Sequence, residues 1–442
     1  MAMASFSVRV LDQCQISPPR STDSRHPLDL TFFDIMWMCN GAVSRLFFYD
    51  HPHPIADFTA SVLPPLKSSL SATLHHFYPL AGRFRRSAED NTKFQLRYSD
   101  GDFVPFTVTE CTDGDFTDVS GYHDRSPSKL QPLVSHLHVG FSDADPLLAV
   151  QVTVFPNKGF VVGVKISHVA CDGRSFMHFV RSWAATCRGE PSVEPLPSFD
   201  RTIVSIPETL SVASPDDVKE YYDSIPDAPK PATPSEPIVM RSFKFGKRDI
   251  EKLKQRVPFR SSSFMVACAC AWVSLLKARG AYYTGGEKRT KLIFPADSRE
   301  RLNPPKSPAY FGNCIRPCFT DAVEGDLLGE DGLVVACEAI GRAIKELEGG
   351  VFNGWEKWRE NFASAEKPMA VAGSPKFGAY GVDFGWGRPV KVDLAGLVEC
   401  LGVISLSENR DEEGGVELGI SLVESEMNVF SSSVSDAVNR GC

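Results

Sequence analysis

The stretch Val162-Gly-Val-Lys-Ile166-Ser-His168-Val-Ala-Cys-Asp172-Gly173-Arg-Ser-Phe176 decides how the chain is read. Val162, Val164 and Ile166 are apolar at a spacing of two, so they share one face of a strand. If the strand runs on, His168 ends that row. After Gly173 the period changes. Phe176, Phe179, Val180 and Trp183 fall at i, i+3, i+4 and i+7, with Arg174, Ser175, Arg181 and Ser182 on the other faces, which predicts a helix. His168 therefore sits in a strand-to-helix turn that Gly173 leaves free to form. A histidine there is held rigidly and can still be reached by a substrate, and it is near neutral at pH 7, as a general base requires. Asp172, four residues on, has two uses open to it: to hydrogen-bond the imidazole, or to pair with an arginine and fix the turn. A lone His-x-x-x-Asp arises often by chance, so the rest of the chain must carry the assignment.

Upstream, Val150, Val152 and Val154 alternate with more polar residues, and Pro156-Asn157-Lys158-Gly159 predicts the hairpin turn that leads into the histidine strand. An amphipathic helix is expected within 58–78, starting at Pro64 and Pro65, because Leu66, Leu70, Leu74 and Phe77 form one stripe. Short strands are expected at 6–11 and 45–49. Asp34 lies among Phe32, Phe33, Ile35 and Trp37; an acid there either caps a helix or faces a cleft. His136-x-His138 would share a strand face, but no third ligand is in view, so no metal site is expected.

With 442 residues the chain is too long for one ordinary domain. Ten of its 32 prolines fall in 191–237, which marks a crossover between an N-terminal domain, 1–190, and a C-terminal domain, 238–442. A short helix is expected at 216–224. Hydrophobic residues are 43% and charged residues 23%, as in ordinary globular proteins, and the net charge of −8 argues against nucleic acid and anionic membranes as partners. Residues 1–18 show no apolar run of signal-peptide length, and no stretch is long enough to span a bilayer. A cytoplasmic location follows, where the 12 cysteines are expected as buried thiols.

In the second half, the loop Arg299-Glu-Arg301-Leu-Asn-Pro-Pro precedes Tyr310-Phe-Gly-Asn313-Cys314, and Asp383-Phe384-Gly385-Trp386-Gly387 follows near the end. With His168 to Gly173, these segments resemble the signatures of the plant BAHD acyl-CoA-dependent acyltransferases, in the same order and over nearly the whole chain. Tyr310 to Cys314 further resembles the subset that acylates anthocyanins and other flavonoid or phenolic glycosides. The resemblance implies an α/β fold of two chloramphenicol-acetyltransferase-like domains, each a mixed β-sheet flanked by helices, with the active-site channel at their interface. It implies acyl-CoA as co-substrate, no bound cofactor, a small phenolic glycoside as acceptor and a monomeric enzyme.

It also implies roles. His168 is the general base. Asp172 turns away from the substrate and pairs with Arg299, or second with Arg301. Asp383 to Gly387 is structural, with Trp386 packed in the core. Lys252 and Lys254 in a basic helix, and Ser374 with Lys376 in a loop, are candidates for the CoA end, although a solvated helix face explains those lysines equally well. Asp34, Trp37, Arg174 and Phe176 are candidates for the substrate pocket. A malonyl donor needs a cation, for which Arg174 and Arg181 are available. A hydroxycinnamoyl donor needs an apolar slot, which Phe176 and Trp37 would line. Two other readings compete: a condensation-domain-like enzyme acting on another amine or alcohol, and a relative that binds ligands without turnover. Ser167 stands where condensation domains carry a second histidine, and the chain has no carrier domain, which weighs against the first.

Overall fold

The computed structural model describes residues 6–21, 25–37, 41–90, 93–139, 143–190, 195–201, 236–280, 288–363, 369–395 and 401–439. Two six-stranded mixed sheets dominate. The first runs in the order β1 (Arg9–Ile16), β6 (Val104–Glu110), β7 (Leu148–Phe155), β8 (Gly159–Ser167), β3 (Ala42–Asp50) and β13 (Lys391–Leu394), with β6 and β7 parallel and the other neighbours antiparallel. The second runs β11 (Ile315–Val323), β10 (Arg289–Asp297), β12 (Met369–Gly373), β14 (Val403–Glu408), β15 (Val416–Val423) and β9 (Ile238–Phe245), with β12 parallel to both neighbours. A small sheet joins β2 (Leu28–Asp29), β5 (Phe94–Arg97) and β4 (Arg83–Arg86).

The period-two residues of β8 do what their spacing requires. Phe160, Val162, Val164 and Ile166 all bury in the first core, beneath helices Leu63–His76 and Gly173–Cys187. Trp183 ties these helices together, since its indole N–H donates to Leu66 O at 3.1 Å and Ser69 Oγ at 3.0 Å. The helical run before the first of them begins earlier than the prolines suggest, at Ile55, and passes through one wide turn, Phe58–Val62. Pro64 and Pro65 sit in the first turn of Leu63–His76, where a missing N–H costs nothing. The second sheet is covered by Ser263–Ala278, Gly332–Lys345 and Glu424–Asn439.

The expected unit 238–442 is not confined to the second sheet. Lys391–Leu394 crosses over and pairs antiparallel with β3, from Lys391 opposite Phe48 to Leu394 opposite Arg45. Its side chains seal the junction. Arg125 Nη1 donates to Asp393 Oδ2 at 2.6 Å, Lys391 pairs with Asp393 at 3.0 Å and with Glu417 of β15, and Tyr380 Oη donates to Glu417 at 2.8 Å. All five are nearly or wholly buried. Most of the proline-rich crossover, including the expected helix at 216–224, lies outside the described residues.

Candidate active site

β8 ends at Ser167, and the His168 N–H donates to Gly41 O at 2.9 Å, which fixes where the chain leaves the sheet. Asp172 then caps the next helix: its backbone is extended and its Oδ1 accepts the Ser175 N–H at 3.0 Å. The same carboxylate receives a two-pronged Arg299, with Nη1 to Oδ2 at 2.8 Å and Nη2 to Oδ1 at 3.0 Å. The Cys314 N–H supplies a fourth donor at 3.0 Å. Both charged side chains are fully buried. Of the two uses open to Asp172, the structure has the arginine pair. Burial alone would lower the pKa of Arg299, but Asp172 and Asp297 more than offset it and hold it above the ordinary value.

Asn313 clamps the other side of the turn. Its Nδ2 donates to His168 O at 2.8 Å, to Val169 O at 3.3 Å and to Asp34 Oδ1 at 3.0 Å. Asp34 is wholly buried and fully engaged: it also accepts the Thr31 N–H and O–H, both at 2.8 Å, and pairs with Arg201. Thr31 Oγ1 in turn accepts the Asp34 N–H at 3.3 Å, a reciprocal cap at the start of Phe32–Trp37. The cap reading of Asp34 therefore holds and the pocket reading does not. At the far end of that short helix, Trp37 stacks on the imidazole of His168, with ring centres 4.6 Å apart and planes 11° from parallel.

The His168 Nδ1 is closed off from water, which leaves Nε2 for the cavity. Burial depresses the pKa of His168, although its own carbonyl, Asp172, Asn313 and Asp34 oppose this. A neutral imidazole at pH 7 is the result.

His168 forms part of the wall of a cavity of about 1810 Å3, bounded by both sheets. Ordinary single-ligand pockets run to roughly 300–1,000 Å3, so two substrates fit here. Of the expected pocket residues, Trp37 and Arg174 line the cavity. The charge of Arg174 is already matched, by Asp297 at 2.8 Å. Phe176 does not belong there: it is packed in the first core. Of the expected CoA contacts, Lys254, Ser374 and Lys376 line the cavity. Lys252 is a correction, since it points to Val438 O at 3.5 Å on the helix Glu424–Asn439. Two residues apart on a helix means 200° of rotation, so the two lysines had to diverge.

The loop 383–387 lies outside the cavity wall. Asp383 Oδ1 accepts the Gly385 and Gly387 N–H groups at 2.7 and 3.0 Å, and both glycines have positive φ, +111° and +95°. Phe384 buries edge-on against Trp183 with ring centres 4.7 Å apart. Trp386 packs against the same core beside Phe160. Asn313, which holds the turn, and Arg45, which lines the cavity, were not singled out from the sequence. For Asn313 the signal was its place in Tyr310 to Cys314. For Arg45, a charge within an apolar strand, Leu46-Phe-Phe-Tyr49, was the available hint.

Among the described residues no group of three or more metal-ligating side chains gathers, and no helix is long and apolar enough to cross a membrane.

Residues 6–437 match the model of the Transferase family. The chain is 33% identical to phenolic glucoside malonyltransferase 1 of Arabidopsis thaliana, over 96% of each chain. It is 31% identical to coumaroyl-CoA:anthocyanidin 3-O-glucoside-6''-O-coumaroyltransferase 2 of the same plant, over 100% of this chain and 99% of that one. Among solved structures, vinorine synthase superposes with a TM-score of 0.71 at 23% identity, covering 96% of both chains.

Proposed function

Since the chain belongs to the Transferase family, the BAHD acyltransferases, and so is an acyl-CoA-dependent acyltransferase, we propose that it moves a malonyl or hydroxycinnamoyl group from CoA to a sugar hydroxyl of a flavonoid, anthocyanin or other phenolic glucoside. The observation that carries this is a neutral, rigidly held His168 in the wall of a cavity large enough for two substrates. The names of the relatives supply the acyl and acceptor classes.

In this mechanism His168 Nε2 takes the proton of the acceptor hydroxyl as the oxygen attacks the thioester carbonyl. The C–S bond then breaks, and the imidazolium returns the proton to the departing CoA sulfur. No covalent enzyme intermediate is needed, because the thioester is electrophilic and the thiolate leaves well. General base catalysis contributes about 10²–10⁴-fold, and alignment of the two bound substrates supplies more. Asp172, Arg299 and Asn313 act through His168 by fixing the turn that carries it. Trp37 fixes the plane of its ring. Lys254, Ser374 and Lys376 serve the CoA end. The described cavity lining needs no residue from a second copy, and we take the enzyme as a monomer acting in the cytoplasm.

The test is release of CoA thiol from malonyl-CoA and from p-coumaroyl-CoA, each with a panel of flavonoid and anthocyanin glucosides. His168→Ala should lower kcat by about 10²–10⁴-fold with an unchanged fold. Full activity in that variant would remove the base from the mechanism, and no release with any pair would remove the glucoside acceptor.

A further inference from the structure

Among the described residues six arginines line the cavity: Arg45, Arg174, Arg181, Arg301, Arg388 and Arg410. Four are already engaged. Arg174 holds Asp297 at 2.8 Å, Arg301 the Asp297 carbonyl at 2.6 Å, Arg388 the Tyr380 carbonyl at 2.9 Å and Arg410 the Pro389 carbonyl at 2.9 Å. Arg181 is exposed to solvent. Arg45 differs from all of these. It is only 4% exposed, and its Nε is shut off from solvent with no partner. No acceptor among the described residues hydrogen-bonds its guanidinium.

Its surroundings are aromatic. The guanidinium carbon lies 5.7 Å from the ring centre of Phe176 and 5.9 Å from that of Phe377. Rings of that kind steady the flat face of a guanidinium and leave its N–H edge unused. Burial lowers the pKa of Arg45, to about 10, against a raising effect of Glu408. The group stays charged at pH 7. Glu408 also lines the cavity: its Oε1 takes the Tyr380 N–H at 2.6 Å, its Oε2 is buried without a partner, and among the described residues Arg45 forms no ion pair with it. A buried cation with no acceptor is costly, and proteins keep one where something else completes it.

The position is close to the chemistry. Arg45 stands on β3 opposite Val164 of β8, the strand from which His168 departs four residues later. Phe377, one of the two rings around it, rests where a side chain on Gly173 would be, 2.9 Å from that point. The guanidinium thus lies beside the first turn of the helix that follows His168, in the wall of the same cavity.

We propose that Arg45 selects the acyl donor by binding a free carboxylate at the far end of the acyl chain. The donor is then a CoA monothioester of a short dicarboxylic acid, malonyl-CoA in the first instance. This rests on the acyl-transfer reading given above and chooses between its two donor classes. Of the two residues expected to line a hydroxycinnamoyl slot, Trp37 lines the cavity but is stacked on His168, while Phe176 is turned into the core beside Arg45.

The test compares kcat/KM for malonyl-CoA, acetyl-CoA and p-coumaroyl-CoA with one glucoside acceptor, in the wild type, Arg45→Gln and Arg45→Lys. Loss of a charge-assisted contact predicts a fall of about 10–100-fold for malonyl-CoA in Arg45→Gln. Acetyl-CoA should change by no more than about 3-fold on the same scale, and Arg45→Lys should recover part of the malonyl loss. An equal fall with every donor would mean that Arg45 serves the fold or the CoA phosphates, and would overturn the proposal. So would an unchanged malonyl rate. Should the variants fail to fold, the wild type can be given malonyl-CoA and its methyl ester side by side, and equal use of the two overturns carboxylate recognition. A wild type that uses p-coumaroyl-CoA and ignores malonyl-CoA leaves acyl transfer standing and sinks this inference. A wild type inert with every pair sinks the acyl-transfer reading itself.

Discussion

Replacing Asp172 by Asn changes one oxygen to an NH2 group, and the geometry says what that does. The carboxylate accepts four donors, two on each oxygen: Ser175 N and Arg299 Nη2 on Oδ1, Cys314 N and Arg299 Nη1 on Oδ2. Whichever way the amide sits, its NH2 faces two donors that have lost their acceptor. Arg299 keeps only Asp297, at 3.1 Å, as a charged partner. The capping bond itself is not the loss, because Asn caps a helix as well as Asp does. Removing one partner of a buried ion pair costs about 3–5 kcal/mol, against a whole-domain stability of about 5–15 kcal/mol. With an m-value of about 2–3 kcal/mol per M, the urea midpoint should fall by about 1–2 M. Since the turn also aims His168, kcat should fall more than KM rises. Arg299→Met leaves the opposite charge stranded and should cost as much. The double variant strands neither, so it should be less destabilised than the sum of the two by about 1–3 kcal/mol. Urea melts of the four proteins and CoA-release kinetics decide the matter. An Asp172→Asn protein within about 0.5 kcal/mol of the wild type and fully active would refute the reasoning.

Two further outcomes concern pH. Because burial depresses the pKa of His168, the acid limb of kcat/KM should lie below the ordinary histidine value of about 6.5; a limb above it, measured by thiol release from pH 4.5 to 8, would contradict a desolvated base. Burial would raise the pKa of Asp393, but Arg125 and Lys391 pull it down to about 2. A depressed carboxyl stabilises above its unfolded pKa of about 3.9 and loses that stability as pH falls through its folded value, so roughly 2 kcal/mol should vanish between about pH 4 and 2. Urea melts across that window should be flatter for Asp393→Asn, and identical slopes would remove Asp393 from the acid lability.

The turn at His168 was legible because everything that makes it is local: alternation before, helical period after, glycine between. The cap by Asp172 is local too. What closes the turn from behind is not. Arg299 lies 127 residues from Asp172 and Asn313 lies 145 from His168, and only the resemblance to known acyltransferases brought Arg299 forward. Periodicity identified Phe176 as buried, but burial has two meanings beside a cavity, core or wall, and spacing alone does not separate them. Arg45 was invisible for a different reason. Sequence shows which groups can make hydrogen bonds, whereas its importance lies in a bond that no neighbour makes. The placement of Lys391–Leu394 in the first sheet was equally out of reach, since four residues of strand carry no mark of their partner.

That crossover has a consequence for synthesis. The chain emerges from its N-terminus, and β3 can pair on one side with β8 once Ser167 is made. Its other side waits for Lys391–Leu394, more than 220 residues later. During that interval the nascent first sheet has an open edge beside Leu46, Phe47 and Phe48, all of them apolar and all wholly buried at the end. The same strand also carries Arg45. The wall that holds the unpaired cation is therefore finished only when most of the protein has left the ribosome, so neither half can be released early as a working piece.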